Sequence, residues 1–183
     1  MSNSSKVKKF GWPAVRQSYS FCDLVNDSWF PLLLSLIITF IRRNENSDML
    51  DALHKIAGLG LTVVPVMLTL LLAAYTILMT MYWSPICEKM KSSERGIKLL
   101  KGLNASFAVA IRVIALGVLY LFIVNSVDTI YIQMSTSICE VINSIYYCMA
   151  LYFIFFSICI LKDIVINIYN IASFSIESDS VKP

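Results

Sequence analysis

Two charged residues stand inside or beside long apolar stretches, where a charge is uncommon. Arg112 interrupts the apolar run of residues 102–125, and Asp27 precedes the run of residues 29–41. An arginine at the centre of a bilayer costs roughly 2.5–3.5 kcal/mol on insertion scales, so it is expected to face protein, water or headgroups. Such a charge could line a pore, attract an anion or sense a signal, with Asp27 as a candidate partner.

Two interpretations of these charges stay open. If the third membrane helix starts at Gly102, Arg112 lies about 15 Å deep. If the membrane segment starts about ten residues later, Arg112 instead reaches the headgroups, and residues 96–111 lie along the interface. For Asp27 an interfacial position is favoured, because it precedes Pro31 and adjoins polar residues.

The most basic part of the chain is the segment 84–101. Its basic side chains are Lys89, Lys91, Arg95, Lys98 and Lys101. Each Lys or Arg near an anionic membrane surface contributes about 1 kcal/mol, which favours contact with lipid headgroups. The segment could also bind an acidic soluble protein in the cytoplasm, and the two interpretations are compatible.

The other residues that could carry chemistry form no catalytic or metal-binding pattern. His54 is the only histidine, and the five cysteines are scattered without a CxxC pair. The sequence lacks GxSxG, HExxH and P-loop motifs, and no basic tract is interleaved with aromatics. We therefore expect no enzyme activity, no metal, no cofactor and no direct nucleic-acid binding.

Long apolar stretches must position these residues. Hydrophobic residues make up 57% of the 183-residue chain and charged residues 15%, whereas a typical soluble domain has about 25% charged residues. About 20 apolar residues suffice to cross the hydrocarbon core as a helix. We predict four transmembrane helices, over residues 20–41, 56–83, 102–125 and 138–161.

The first of these helices has two possible forms. It could begin near Ser20 and continue through a kink at Pro31. Alternatively, an interfacial helix could end before Asp27, with Ser28 capping a new helix that carries Pro31 in its first turn.

The distribution of basic residues predicts the orientation. Most of the 15 lysines and arginines lie before the first span, between the second and third, or after the fourth. Cytoplasmic loops carry an excess of such residues, so both termini are predicted to be cytoplasmic. Residues 1–19 and 163–183 then form a cytoplasmic segment and tail, and 84–101 a cytoplasmic loop. The predicted fold is an all-α integral membrane protein of the inner membrane, a four-transmembrane-helix bundle.

This layout resembles KwaA, the small membrane-subunit family of bacterial Kiwa anti-phage defence systems. The resemblance covers the whole chain and rests on its size, its four spans, the basic segment 84–101 and a residue usage typical of AT-rich bacterial genes. It implies a membrane-embedded homo-oligomer that senses phage attack at the envelope. It also implies a soluble DNA-binding partner, KwaB, recruited at the cytoplasmic face.

Three classes of function follow. A sensor or scaffold would recruit a cytoplasmic partner through the basic segment and the tail. A pore-forming effector would depolarise the cell through a path lined by Arg112 or by polar residues such as Asn125. A small transporter or enzyme for a lipid-soluble substrate would need a polar cluster at one depth, which the sequence does not suggest.

Overall fold

The computed structural model describes residues 11–19, 21–44, 48–83, 85–126 and 136–180. Within these ranges every regular element is an α-helix. The helices are α1 Trp12–Ser18, α2 Phe21–Asn44, α3 Met49–Met81, α4 Pro85–Lys91, α5 Glu94–Ser126 and α6 Thr136–Ser180. Four of them (α2, α3, α5 and α6) are long and apolar enough to cross a membrane. The prediction of an all-α chain with four such helices is confirmed.

The central three helices are α3, α5 and α6, and a seven-residue repeat explains how they pack. The buried residues of α3 include Ala57, Val64, Leu71 and Leu78, and those of α5 include Leu100, Phe107, Ile114 and Leu121. Residues seven apart lie on one side of a helix, so each set forms a seam along its helix. The core of the molecule lies where these seams meet α6.

Two glycines let the central helices approach closely. A Cβ atom at Gly60 of α3 would lie 2.8 Å from a methyl carbon of Leu121 on α5. A Cβ atom at Gly117 of α5 would lie 2.8 Å from the ring of Phe153 on α6. Small residues at such crossings allow van der Waals contact between helices, which contributes to association where there is no water to expel.

The helix α2 packs on α6, at the outside of the three-helix core. Ser35 and Thr39 are buried in this contact, and the Ser35 Oγ lies 3.5 Å from the Cys148 Sγ. The Tyr152 hydroxyl lies 3.1 Å from the Ser28 Oγ and donates to it. The helix runs without a break through Pro31, as the first of the two forms considered for this segment expected.

The ends of several helices differ from the predicted boundaries. The segment 84–101, predicted as a loop, contains α4 and the first two turns of α5. The tail predicted from residue 163 is a continuation of α6 as far as Ser180. Inside the N-terminal segment 1–19, residues 12–18 form the short helix α1, which packs on α5. Only the charge-rich segment 84–101 is predicted as a loop, although charged residues such as Lys and Glu are good helix formers. In the tail the spacing of Ile164, Ile168 and Ile171 predicts a helical stripe, and α6 contains these residues.

Candidate functional site

The basic segment folds into a compact corner, which we call the elbow and define as residues 85–101. Pro85 occupies the first position of α4, where its missing N–H costs no helical hydrogen bond. The Ser93 Oγ accepts from the Gly96 N–H at 3.0 Å and so caps the start of α5. Glu94 adds a negative charge to that first turn, which the helix dipole favours.

A small apolar core holds the elbow rigid. Cys87 and Met90 of α4 are each 1% exposed, and Leu100 of α5 is also buried. Gly96 lies so close to α4 that a Cβ atom there would be 2.2 Å from the Met90 carbonyl oxygen. No side chain fits in that space without a backbone shift, so the tight corner requires glycine at this position.

The basic side chains of the elbow point outward where the structure describes them. Lys91, Lys98 and Lys101 are exposed, while the side chains of Lys89 and Arg95 lie outside the described part of the structure. The Lys91 Nζ lies 3.0 Å from the Tyr82 carbonyl oxygen and donates to it, and it is 5.5 Å from the centre of the Tyr82 ring. The elbow is therefore a basic surface on a folded support.

Arg112 lies on the outer surface of α5, where it is exposed and contacts α1. Its guanidinium carbon is 4.4 Å from the centre of the Trp12 ring. A cation over an aromatic face at an exposed site gains about 0.5–1 kcal/mol. This contact offsets part of the cost of an arginine among apolar residues.

Asp27 of α2 is held by the other end of the same short helix. The Tyr19 hydroxyl, just after α1, donates to the Asp27 carboxylate. Both α2 and α5 pack antiparallel to α6, and contacts of Ser28 with Tyr152 and of Gly117 with Phe153 set their registers. These registers place Asp27 and Arg112 within about two helical turns of each other along the bundle.

The suggested pairing of Arg112 with Asp27 does not occur as a direct contact. The described residues include no ion pair between them; α1 instead contacts each one separately. Trp12 and Tyr19 are thus functional candidates that sequence reasoning missed. The available signal was weak: an aromatic at each end of a short segment, with Gly11 and Pro13 typical of a helix start.

A cavity of about 600 Å³ opens between α1, the start of α5 and the later part of α6. Its polar lining residues are Ser18, Tyr19, Lys98, Ser106, Asn167 and Asn170. Its apolar lining residues are Met90, Leu99 and Leu103, and Gly102 also faces it. The cavity brings one elbow lysine, Lys98, next to α6, which the sequence did not suggest.

The remaining candidates for chemistry stay apart. Groups of His, Cys, Asp and Glu that could hold a metal ion do not occur among the described residues. The described cysteines are all free. Burial raises the pKa of the Cys87 thiol, and the nearby Lys91 ammonium only partly opposes this effect. A raised pKa leaves less thiolate at neutral pH, which makes Cys87 a packing residue of the elbow.

Comparisons with known proteins identify no relative: no protein-family profile, curated protein or solved structure matches the chain.

Proposed function

We propose that this chain is a membrane-embedded sensor and scaffold subunit whose elbow recruits a soluble cytoplasmic protein. In this proposal both termini are cytoplasmic, the chain forms a homo-oligomer in the bacterial inner membrane, and the assembly acts in anti-phage defence. The observation that carries the proposal is the elbow itself: exposed lysines on a corner fixed by buried Cys87, Met90 and Gly96.

A rigid basic surface suits the recruitment of an acidic partner. Complementary charge accelerates association and selects partners, and its effect is larger when the charges are already positioned. Lys91 and Lys101 are exposed, and the elbow core anchors the backbone that carries them. Headgroup contact by the same lysines remains compatible with this role, because a surface of this size can serve both.

Oligomer formation is supported by the apolar surface of α2. One side of this helix packs on α6, while large side chains elsewhere on it stay exposed in the single chain, among them Trp29, Phe30, Leu36 and Phe40. Lipid covers such a surface well, and so does a second copy of the chain. The assignment to phage defence is supported by the layout that the chain shares with KwaA, which also motivates a partner of the KwaB type.

A pore remains the alternative, and the structure offers it little support. The interior of the single bundle is filled by residues with no exposed surface, such as Val64, Leu71 and Phe107. Arg112 lies on the outer surface of α5 against Trp12. A conducting path would have to form between protomers.

Purification together with its native gene neighbours tests the proposal. The chain, extracted in mild detergent, is expected to carry a stoichiometric soluble protein, detected by mass spectrometry and native-mass sizing. Reversal of charge in Lys91→Glu/Lys101→Glu should release this partner because the electrostatic attraction changes sign. The control Lys55→Glu reverses a single charge at the other end of the bundle, where Lys55 pairs with Asp51, and should retain the partner.

Two results would contradict the sensor-scaffold proposal. One is a homo-oligomer that carries no soluble protein at all. The other is a partner released equally by the elbow variant and by Lys55→Glu. If the oligomer also depolarises cells on overexpression, and Arg112→Leu abolishes this, the pore replaces the scaffold.

A further inference from the structure

The cavity beside α1 exists because the four long helices are unequal. The helix α2 has 24 residues, whereas α3 and α5 have 33 each and α6 has 45. At the end of the bundle that carries the elbow, α2 is therefore too short to reach as far as α5 and α6. The short helix α1 covers part of the exposed groove, and the remainder is the cavity of about 600 Å³.

The position of the cavity matches the edge of the apolar zone. The Tyr82 hydroxyl lies 3.4 Å from the Leu100 carbonyl oxygen and donates to it, which places Lys98 and Leu99 at the level of Tyr82. The next residue, Trp83, is 91% exposed. Tyr and Trp in such positions mark the headgroup level of a membrane, so one side of the cavity reaches headgroups and the other reaches acyl chains.

The lining of the cavity is also amphipathic, with polar and apolar residues. Lys98 supplies a positive charge, Asn167 and Asn170 supply amide donors, and the lining residues include no Asp or Glu. Among the described residues, the side chains of Lys98, Asn167 and Asn170 have no polar partner. Leu99 and Leu103 provide an apolar wall on the same side of α5 as Lys98.

We propose that this cavity binds one anionic phospholipid of the membrane leaflet at the elbow end. The Lys98 ammonium and the Asn167 and Asn170 amides bind its phosphate, and the acyl chains lie along Leu99 and Leu103. This role is separate from recruitment of a soluble partner, since it requires only that the chain be embedded in a membrane. A free phosphate ion has the same charged group as the headgroup but has no acyl chains to contact the apolar wall.

Gly102 gives a direct way to fill the site. It lines the cavity, and a Cβ atom placed there would have no other atom within 4 Å. A side chain at this position therefore begins without a clash, and a leucine is expected to project into the cavity while removing a glycine from the interior of α5. Loss of binding in Gly102→Leu would thus report occupation of the cavity rather than loss of the fold.

Native mass spectrometry of the full chain tests the proposal, with phosphatidylglycerol, phosphatidylcholine and inorganic phosphate as probes. Phosphatidylglycerol should bind at one site per chain and in preference to phosphatidylcholine. Lys98→Gln should weaken it about fivefold, as expected for the loss of one lysine near an anionic surface. Gly102→Leu should abolish the site, with a melting temperature no lower than that of the wild type.

Lys101→Gln is the matched control, because it removes a neighbouring charge of α5 that does not line the cavity. Equal weakening by Lys101→Gln and Lys98→Gln would overturn the proposal in favour of general attraction to the elbow surface. Unchanged lipid binding in Gly102→Leu would overturn it as well. Complete displacement of the lipid by inorganic phosphate would identify a free anion as the occupant and would also contradict it.

Discussion

At the scale of single residues, the important contacts are those of α1 with two charges. Trp12 covers the Arg112 guanidinium, and the Tyr19 hydroxyl donates to Asp27. A seven-residue helix is not stable alone in water, since helix nucleation is costly. The two contacts therefore help to hold α1 against the bundle.

Removal of the indole should release α1. Trp12→Leu keeps an apolar side chain but loses the cation–π contact, which is worth about 0.5–1 kcal/mol at an exposed site; Trp12 is 45% exposed. We expect the backbone amides of α1 to exchange about 2- to 5-fold faster, since local opening follows that free energy. Hydrogen–deuterium exchange of the protein in lipid nanodiscs measures this change.

A second substitution separates the contact from simple loss of bulk. In an Arg112→Leu background, Trp12→Leu should add little, because the cation that the ring covers is already absent. Equal effects of Trp12→Leu with and without Arg112 would show that Trp12 acts only through its apolar area.

At the scale of elements, the elbow depends on one glycine more than on its charges. A Cβ atom at Gly96 would lie 2.2 Å from the Met90 carbonyl oxygen, whereas one at Gly102 meets nothing within 4 Å. Both glycines lie in α5, so alanine improves helix propensity by up to about 1 kcal/mol at either position. Only the local space distinguishes the two positions.

Alanine substitutions at these glycines should therefore have opposite effects. Gly96→Ala should lower the melting temperature of the purified protein, because α4 must move away from α5 and its buried Met90 loses packing. Gly102→Ala should leave the melting temperature unchanged or raise it slightly. Thermal unfolding in detergent measures both variants, and a Gly96→Ala protein as stable as Gly102→Ala would show that the corner is not tight.

The elements differ in how well sequence alone predicts them. The helix predicted over residues 56–83 lies almost entirely within α3, Met49–Met81. This prediction needs only the length and the apolar content of the segment, which the sequence shows directly. The elbow was predicted as a loop because its helices are stabilised by buried Cys87 and Met90, a tertiary effect. The helix α1 was missed because Arg112, which holds it, lies far away in the sequence. Local patterns do not encode such contacts.

At the scale of the whole molecule, three helices form the core and α2 packs mainly on one of them, α6. The arrangement follows from the seams of α3 and α5, which meet α6, and from the buried Ser35 and Thr39 of α2 against α6. Asymmetry of this kind leaves the groove that α1 and the cavity occupy.

A cysteine on α2 can test this placement directly. The Ser35 Oγ lies 3.5 Å from the Cys148 Sγ, so Ser35→Cys brings two thiols into disulfide range. We expect mild oxidation of this variant in membranes to form a disulfide between position 35 and Cys148, detected by mass spectrometry of the linked peptides. Leu36→Cys is the control, since Leu36 is exposed whereas the neighbouring Ser35 is buried. Cross-linking at position 36 but not at 35 would contradict the packing of α2.

The length of α6 has a mechanical consequence. At 1.5 Å per residue its 45 residues extend about 68 Å, more than the roughly 40–45 Å of a bilayer with its headgroups. The same rod touches α2, α3 and α5 along its course. A tilt of about 5° around one end would displace the other end by about 6 Å, given that length. Tilting of a rod this long would therefore convert a small rearrangement at one end of the bundle into a large displacement at the other.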